Sequence, residues 1–410
     1  MKPELFTPVL SGGGRVTLPQ YFLNSPGTLF EGFEVIGDWS ALLGTAAANI
    51  TAGEFRTGSQ SIKVTNGLAA HGIIEKVFGA PKDFGGSAPH MRLYFYLYPA
   101  DLANFSVIVV QFYTNAGLGT YQEVLINGVY KSLRAGWNVF DILPGMWSAG
   151  GGANWSMTYD RLWVRITPQG GTQINASFDN LLSGLVGQVP TCMMAFDDAD
   201  VSIYNIAYPF MKSRRARGTF YVRTGQVGGG GFVTSANLVS MDSSGWAIAN
   251  HTRNHTNLTT LSQADATTEI NAGKADLNGW GLTKNYNHLA YPGCFYNNTV
   301  IAAAVDAGVL TARSCSMYSL CEDSYFDDRY LLQVNRSVGI GDSLATLKGY
   351  VNEAITYRRN VGLLIHTIPG DITQADFYEL VNYIVSKNIP FITINDVYSL
   401  LSGPVSVPCL

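Results

Sequence analysis

The sequence predicts two folded domains of different class, an antiparallel β-sandwich followed by an α/β domain of the distorted (β/α)-barrel kind. Three observations lead there. At 410 residues the chain exceeds what one ordinary hydrophobic core organises. Before Pro190, short segments of alternating polarity are separated by Gly, Asn and Pro clusters, the grammar of antiparallel strands. After Pro190, strands alternate with helix-length segments, which implies parallel strands with helices outside.

Composition narrows the function classes. With 47% hydrophobic and 14% charged residues, the chain is folded rather than disordered. A formal net charge of −4 gives no basic footprint, so nucleic acid is not an expected partner. No apolar run reaches the ~20 residues that a membrane-spanning helix needs. Residues 1–15 lack the basic start and apolar stretch of a secretory leader. Five cysteines are too few and too dispersed for a disulfide scaffold, although Cys315 and Cys321 are spaced to pair across a loop.

Along the chain, residues 1–30, with the run Gly12-Gly13-Gly14, read as an arm or linker. Residues 31–187 form the sandwich. Its clearest strands are Ser61–Thr65, Met91–Leu97, Ser106–Phe112, Tyr121–Ile126 and Arg161–Ile166. Residues 188–410 form the second domain. Strands are expected there over Cys192–Phe196, Gly218–Val222, Trp246–Asn250, His288–Tyr291, Val309–Arg313, Gly362–His366 and Phe391–Ile394. Helices are expected over Ala264–Asn278, Asn298–Asp306, Leu344–Arg358 and Gln374–Lys387.

The conspicuous polar residues lie at C-terminal strand ends, where a barrel of this kind gathers its active site. Asp197 and Asp198 follow the first strand, His251 follows the third, and His366 closes a late one. His251 and His255 are four apart, close enough for both imidazoles to reach one ion from a helical turn or tight loop. Adding one carboxylate makes a three-ligand site with open positions, the layout of catalytic zinc. Adjacent aspartates on extended backbone point in different directions, so one can bind metal while the other faces the water. Taken singly, each has a bland reading: a solvated turn, a capping pair, a satisfied core histidine. Their joint appearance in order favours one site.

The same residues carry a family resemblance. Ala195-Phe196-Asp197-Asp198-Ala199 resembles the first motif of the polysaccharide deacetylases (the NodB-homology domain, carbohydrate esterase family 4). Gly218-Thr219-Phe220-Tyr221-Val222 is similar to their second strand, and His251-Thr252-Arg253-Asn254-His255 to their His-Ser/Thr-x-x-His motif. Ala290-Tyr291-Pro292-Gly293 resembles the third motif, Leu364-Ile365-His366 the fifth, and Phe391-Ile392-Thr393-Ile394 the closing segment. The resemblance covers about residues 190–402 and implies a divalent ion, commonly Zn2+, held by Asp198, His251 and His255. It makes Asp197 the general base, His366 the general acid and the Gly293 backbone N–H an oxyanion donor, with Tyr291 and Pro292 beside the substrate. Ala290 stands where the family carries an arginine that pairs with the base, as in its poly-N-acetylglucosamine subgroup. No fourth motif is recognisable, and Asp323 is a weak substitute.

In the first domain, Phe30-Glu31-Gly32-Phe33-Glu34 and Ser177-Phe178-Asp179-Asn180 resemble the opening and closing strands of carbohydrate-binding jelly rolls. That resemblance implies a structural Ca2+ with Glu31 and Asp179 as candidate ligands. Trp39, Trp137, Trp147 and Trp155 are candidates for stacking on sugar, against a base expectation that such residues are core. The leading function is a hydrolase that removes acetyl groups from N-acetylated amino sugars of a polysaccharide. Two alternatives are a carbohydrate-binding or adhesion protein with a decayed barrel, and an esterase for O-acetylated glycan. Asp197 and His366 argue against the first, since binding alone needs neither. The expected setting is extracellular, cell-surface or virion-borne.

Overall fold

Side-chain alternation along extended backbone builds both halves of the molecule. The computed structural model describes residues 28–401 apart from residues 53, 56–57, 68–69, 115–118, 128–135, 143, 184–189, 316–328, 331, 335, 340 and 357–359. Expectations on Cys321, Asp323 and the arm up to residue 27 lie outside the described residues. Two compact units are present, the first closing with the strand Asn175–Ser183 and the second opening with Thr191–Phe196.

The first unit is made mostly of strands: β1 (Thr28–Glu31), β2 (Trp39–Leu43), β3 (Thr45–Asn49), β4 (Ser61–Thr65), β5 (Gly72–Asp83), β6 (Met91–Leu97), β7 (Phe105–Tyr113), β8 (Tyr121–Asn127), β9 (Gly136–Ile142), β10 (Ser148–Gly150), β11 (Thr158–Pro168) and β12 (Asn175–Ser183). They form two antiparallel sheets. One runs β3-β4-β12-β6-β9 with β1 also on β12, and the other runs β10-β8-β7-β11-β5-β2. Leu93, Phe95 and Leu97 of β6, Phe178 of β12, Ile108, Val110 and Phe112 of β7, and Leu162, Val164 and Ile166 of β11 join one buried apolar cluster. Trp39 belongs to that cluster too, so one of the four tryptophans considered for sugar stacking is a core residue, and Trp147 and Trp155 are half-buried against it. Strand β1 begins inside the stretch expected to be an arm, and β5 was not expected at all. Gly79 and Pro81 break the sequence signal of β5, but its first half is buried and pairs with β11.

The second unit holds β13 (Thr191–Phe196), β14 (Thr219–Val222), β15 (Ala247–Asn250), β16 (His288–Ala290), β17 (Thr311–Cys315), β18 (Leu332–Val334), β19 (Arg336–Ser337) and β20 (Asn360–Ile365). Its helices are α1 (Tyr208–Ser213), α2 (Ser235–Ser243), α3 (Gln263–Gly279), α4 (Asn298–Asp306), α5 (Leu344–Thr356), α6 (Gln374–Ser386) and α7 (Ile394–Leu401). The sheet runs β18-β17-β16-β15-β14-β13-β20-β19 with every pair parallel, an arrangement that fits a distorted (β/α) barrel. The strand expected over Phe391–Ile394 does not form. Phe391 makes a single bridge to Cys192, and then Thr393 and Asp396 exchange bonds that cap α7. A capping box thus outcompetes the β-branched run.

Period-two alternation separates two apolar layers. Met194 and Phe196 of β13 pack with Ile248 of β15, Trp246 and Phe377, and the Phe196 and Trp246 rings stack at 5.3 Å. The alternate residues Met193, Ala195, Tyr221, Ala247, Ala249, Ala290 and Leu364 form a second layer of mostly small side chains. Removing a buried ring from either unit leaves a cavity worth about 3–5 kcal/mol. Phe178→Ala and Phe196→Ala are therefore expected to lower stability by that amount, each in its own unit. Denaturant unfolding followed on domain-specific probes checks this, and both substitutions shifting the same transition would contradict independent cores.

Candidate active site

The alternation that fills the inner layer also delivers the polar residues. Met193, Ala195 and Asp197 share one parity on β13, Ala247, Ala249 and His251 on β15, and Leu364 and His366 on β20. Asp197 and His251 are almost fully buried. At Asp198 the backbone turns left-handed, with φ 69°, rather than staying extended, and the two carboxylates lie 3.7 Å (Asp197 Oδ2) and 3.9 Å (Asp198 Oδ1) from His251 Nε2.

The segment from His251 to His255 is a pinned loop rather than a helical turn. Asn250 accepts from Thr252 N at 2.8 Å and donates to Ile270 O at 3.0 Å. Glu269 accepts from both nitrogens of Asn254, and Arg253 pairs with Asp276. Thr252 and His255 adopt φ 62° and 61°, a conformation unfavourable to a β-branched residue that these bonds hold in place.

Asp198, His251 and His255 each present one ligand atom within 4.8 Å of the others, and they are the only such group of three among the described residues. His251 donates from Nδ1 to the carbonyl of Ala290 at 2.9 Å, which leaves Nε2 as an electron-pair donor. Burial lowers the pKa of His251, countered in part by Asp197. His251 Nε2 lies 3.1 Å from His255 Nε2, and His255 Nε2 lies 3.6 Å from Asp198 Oδ1. Asp198 Oδ1 is buried with no hydrogen-bond partner. A proton on His255 Nε2 can serve His251, but Asp198 Oδ1 then has no donor. One cation satisfies all three, so these residues fit a divalent metal ion.

Beside this group, Asp197 meets a fully buried arginine. Arg313 Nη2 pairs with Asp197 Oδ1, and the guanidinium carbon sits 4.3 Å from the centroid of the Tyr221 ring. Burial alone would raise the pKa of Asp197, but Arg313, His251 and His366 together bring it below the usual carboxylate value. Arg313 stands directly opposite Ala290 in the ladder between β17 and β16. Ala290 is itself fully buried, and its small side chain fits beside an arginine on the next strand.

His366 is held by Asp371. Asp371 Oδ2 accepts from the His366 backbone N at 2.6 Å and from Nδ1 at 3.1 Å. That bond raises the pKa of His366 against the effect of burial. The turn between them needs Gly370, where any Cβ would overlap Thr367 Oγ1. The third motif forms the turn Pro292–Cys294, with Gly293 at φ 61° and exposed. Cys294 is disulfide-bonded to Cys315, so Cys315 does not pair with Cys321 as its spacing suggested. Tyr291 is fully buried and its hydroxyl donates to Tyr330 O at 3.0 Å. Pro292 is buried as well. Glu31 pairs with Lys76 at 2.6 Å and Asp179 accepts from Asn180 N at 2.8 Å. Neither joins a group of three candidate ligands among the described residues.

Residues 187–312 match the sequence profile of the family described as polysaccharide deacetylase. This segment is a polysaccharide deacetylase domain. Similar solved structures include the deacetylase PplD of Streptococcus pyogenes in complex with acetate, 27% identical, with a TM-score of 0.32. That match covers 35% of this chain and 63% of the streptococcal one. A family 4 carbohydrate esterase from Streptomyces lividans in complex with acetate is 17% identical over 50% of this chain and 91% of its own, with a TM-score of 0.36. A family 4 acetyl xylan esterase from Clostridium thermocellum in complex with a cobalt ion is 16% identical over 51% and 91%, with a TM-score of 0.38. No curated protein matches the chain.

Sequence reasoning missed two residues of the second unit, Arg313 and Asp371, which lie beyond the matched segment. Arg313 ended a strand that was expected, yet its partnership with Asp197 depends on the register between β16 and β17. Asp371 follows the turn signal Pro369-Gly370 and lies only five residues beyond His366.

Two outcomes follow for the pH dependence of hydrolysis. Asp371→Asn removes the bond that raises the His366 pKa, so the alkaline limb of the kcat/KM profile moves to lower pH. Arg313→Ala removes the cation that lowers the Asp197 pKa, so the acidic limb moves to higher pH and activity falls, by about tenfold or more. Arginine placed at Ala290 in that background is expected to restore part of the loss. Unmoved limbs in both variants would show that these pairs do not govern the titrating groups.

Proposed function

We propose that the domain hydrolyses the acetyl amide of N-acetylated amino sugars in a polysaccharide. One arrangement carries the reading: Arg313 pairs with Asp197 and brings its pKa down, while Asp371 bonds to His366 and raises its pKa, in the unit that carries the three-ligand group. Environments that push two pKa values apart supply a base and an acid at the same pH.

In this reading Asp198, His251 and His255 hold the ion, with Zn2+ the expected one for two imidazoles and a carboxylate. When bound, such an ion polarises the acetyl carbonyl and makes the attacking water more acidic. Asp197 takes the proton from that water. The N–H of Gly293, which no described acceptor takes, donates to the oxygen on which negative charge develops. His366 delivers its proton to the departing amine nitrogen, so acetate and a free amino sugar result. The first unit is proposed as a jelly-roll-like, glycan-binding module that keeps the enzyme on polymer. The disulfide Cys294–Cys315 favours an oxidising setting outside the cytosol, at a cell surface or on a virion.

Acetate release from N-acetylglucosamine oligomers and from acetylated xylan, with and without added metal, tests the reading. Chelation is expected to abolish release and Zn2+ or Co2+ to restore it. Asp197→Asn is expected to keep the metal while turnover falls by roughly 10²–10⁴-fold, the usual worth of a general base. Activity that survives verified metal removal, or an Asp197→Asn protein with wild-type turnover, would overturn this mechanism. Release from xylan but not from the amide substrate would move the assignment to an ester.

A further inference from the structure

Of all the described aromatic side chains, Phe295 alone is exposed, with 57% of its surface open to solvent. It lies two residues beyond Gly293, and its ring covers that glycine. A Cβ at Gly293 would sit 2.8 Å from two of the ring carbons. The mount beneath the ring is rigid. Phe295 N donates to Pro292 O at 3.3 Å and Cys294 N to Tyr291 O at 2.9 Å. Cys294 is bonded to Cys315, and its carbonyl accepts from Ser314 Oγ at 2.7 Å. Tyr291 N donates to Arg313 O at 3.0 Å, so the strand that anchors this turn also carries the arginine paired with Asp197.

We infer that Phe295 is the platform on which the sugar ring bearing the acetyl group stacks, and that it sets the preference of the site for pyranose amides over simple acetyl compounds. The inference rests on the deacetylase reading of the same site. An aromatic face carries negative charge density and attracts the polarised C–H groups of a pyranose face, while the ring's area is shielded from water. A pyranose whose substituents are equatorial offers such a flat apolar face, so a β-linked chain of such sugars fits the platform, and the acetyl amide of the proposed reaction makes it an N-acetylhexosamine chain. Because the ring is fixed by the disulfide and the turn bonds before the sugar arrives, little conformational freedom is lost on binding. Its position over Gly293 places the stacked sugar beside the N–H assigned to the oxyanion.

Two measurements on the full chain test this. Steady-state kinetics compare an N-acetylglucosamine oligomer with a small sugar-free acetate ester, and calorimetry measures equilibrium binding of the same oligomer. Phe295→Ala is expected to raise KM and Kd for the oligomer about tenfold with little change in kcat, and to lower kcat/KM for the small ester far less than for the oligomer. Phe295→Trp is expected to restore oligomer binding. Wild-type oligomer affinity in Phe295→Ala would overturn the inference, as would an equal loss on the sugar-free ester, which marks a support for the turn. A wild-type chain that binds the oligomer through Phe295 yet releases no acetate would sink the deacetylase reading and uphold the platform. A chain that neither binds nor hydrolyses it would sink both.

Discussion

Three electron-pair donors that converge with one proton at most between them leave an acceptor unsatisfied, and the second unit is arranged around such a convergence. Asp198 Oδ1 has no donor, and the Nε2 atoms of His251 and His255 face each other at 3.1 Å. Much of the local backbone exists to hold them there. The left-handed turn at Asp198, the left-handed residues Thr252 and His255, and the bonds from Asn250 and Glu269 all resist relaxation of the loop. The Ala290 carbonyl selects the tautomer that points the His251 lone pair inward. A divalent cation among these three atoms would satisfy all of them at once.

The second constraint is a carboxylate with almost no access to water. Asp197 stays charged only because a cation is buried with it, and Arg313 reaches it from the neighbouring strand of Ala290. Arg313 in turn lies against the Tyr221 ring, and burial raises the pKa of that tyrosine so that it remains a neutral partner. The Cys294–Cys315 link then ties the turn of Gly293 to the same strand. Asp197, Arg313 and the Gly293 turn are therefore one connected piece. Asp371 does for His366 what Arg313 does for Asp197, with the opposite charge.

The sequence made the polar ends of the strands legible because period-two alternation is local. Once Met193 and Ala195 are read as one face, Asp197 follows, and the same holds for His251 after Ala247 and Ala249. Asn298–Asp306 and Met91–Leu97 were legible to the residue, since each pattern is bounded by its own turn signals. Arg313 was not, because which residue stands opposite Ala290 is fixed by strand register, a tertiary property. The α7 segment misled for a different reason: Phe391–Ile394 has strand-like residues, but Thr393 and Asp396 form a cap that only three-residue spacing reveals. Strand β5 was hidden by Gly79 and Pro81, and Trp39, Trp147 and Trp155 gave no sign in sequence of which face they would join.

Titration of the metal-free chain with Co2+, followed by optical absorption, addresses the convergence of Asp198, His251 and His255 most directly. The predicted result is one ion per chain with the intense visible bands of a low-coordinate nitrogen and oxygen site, both lost in Asp198→Ala and in His255→Ala but kept in Asp197→Asn. Absence of stoichiometric binding, or binding that survives loss of Asp198 and His255, would contradict the account.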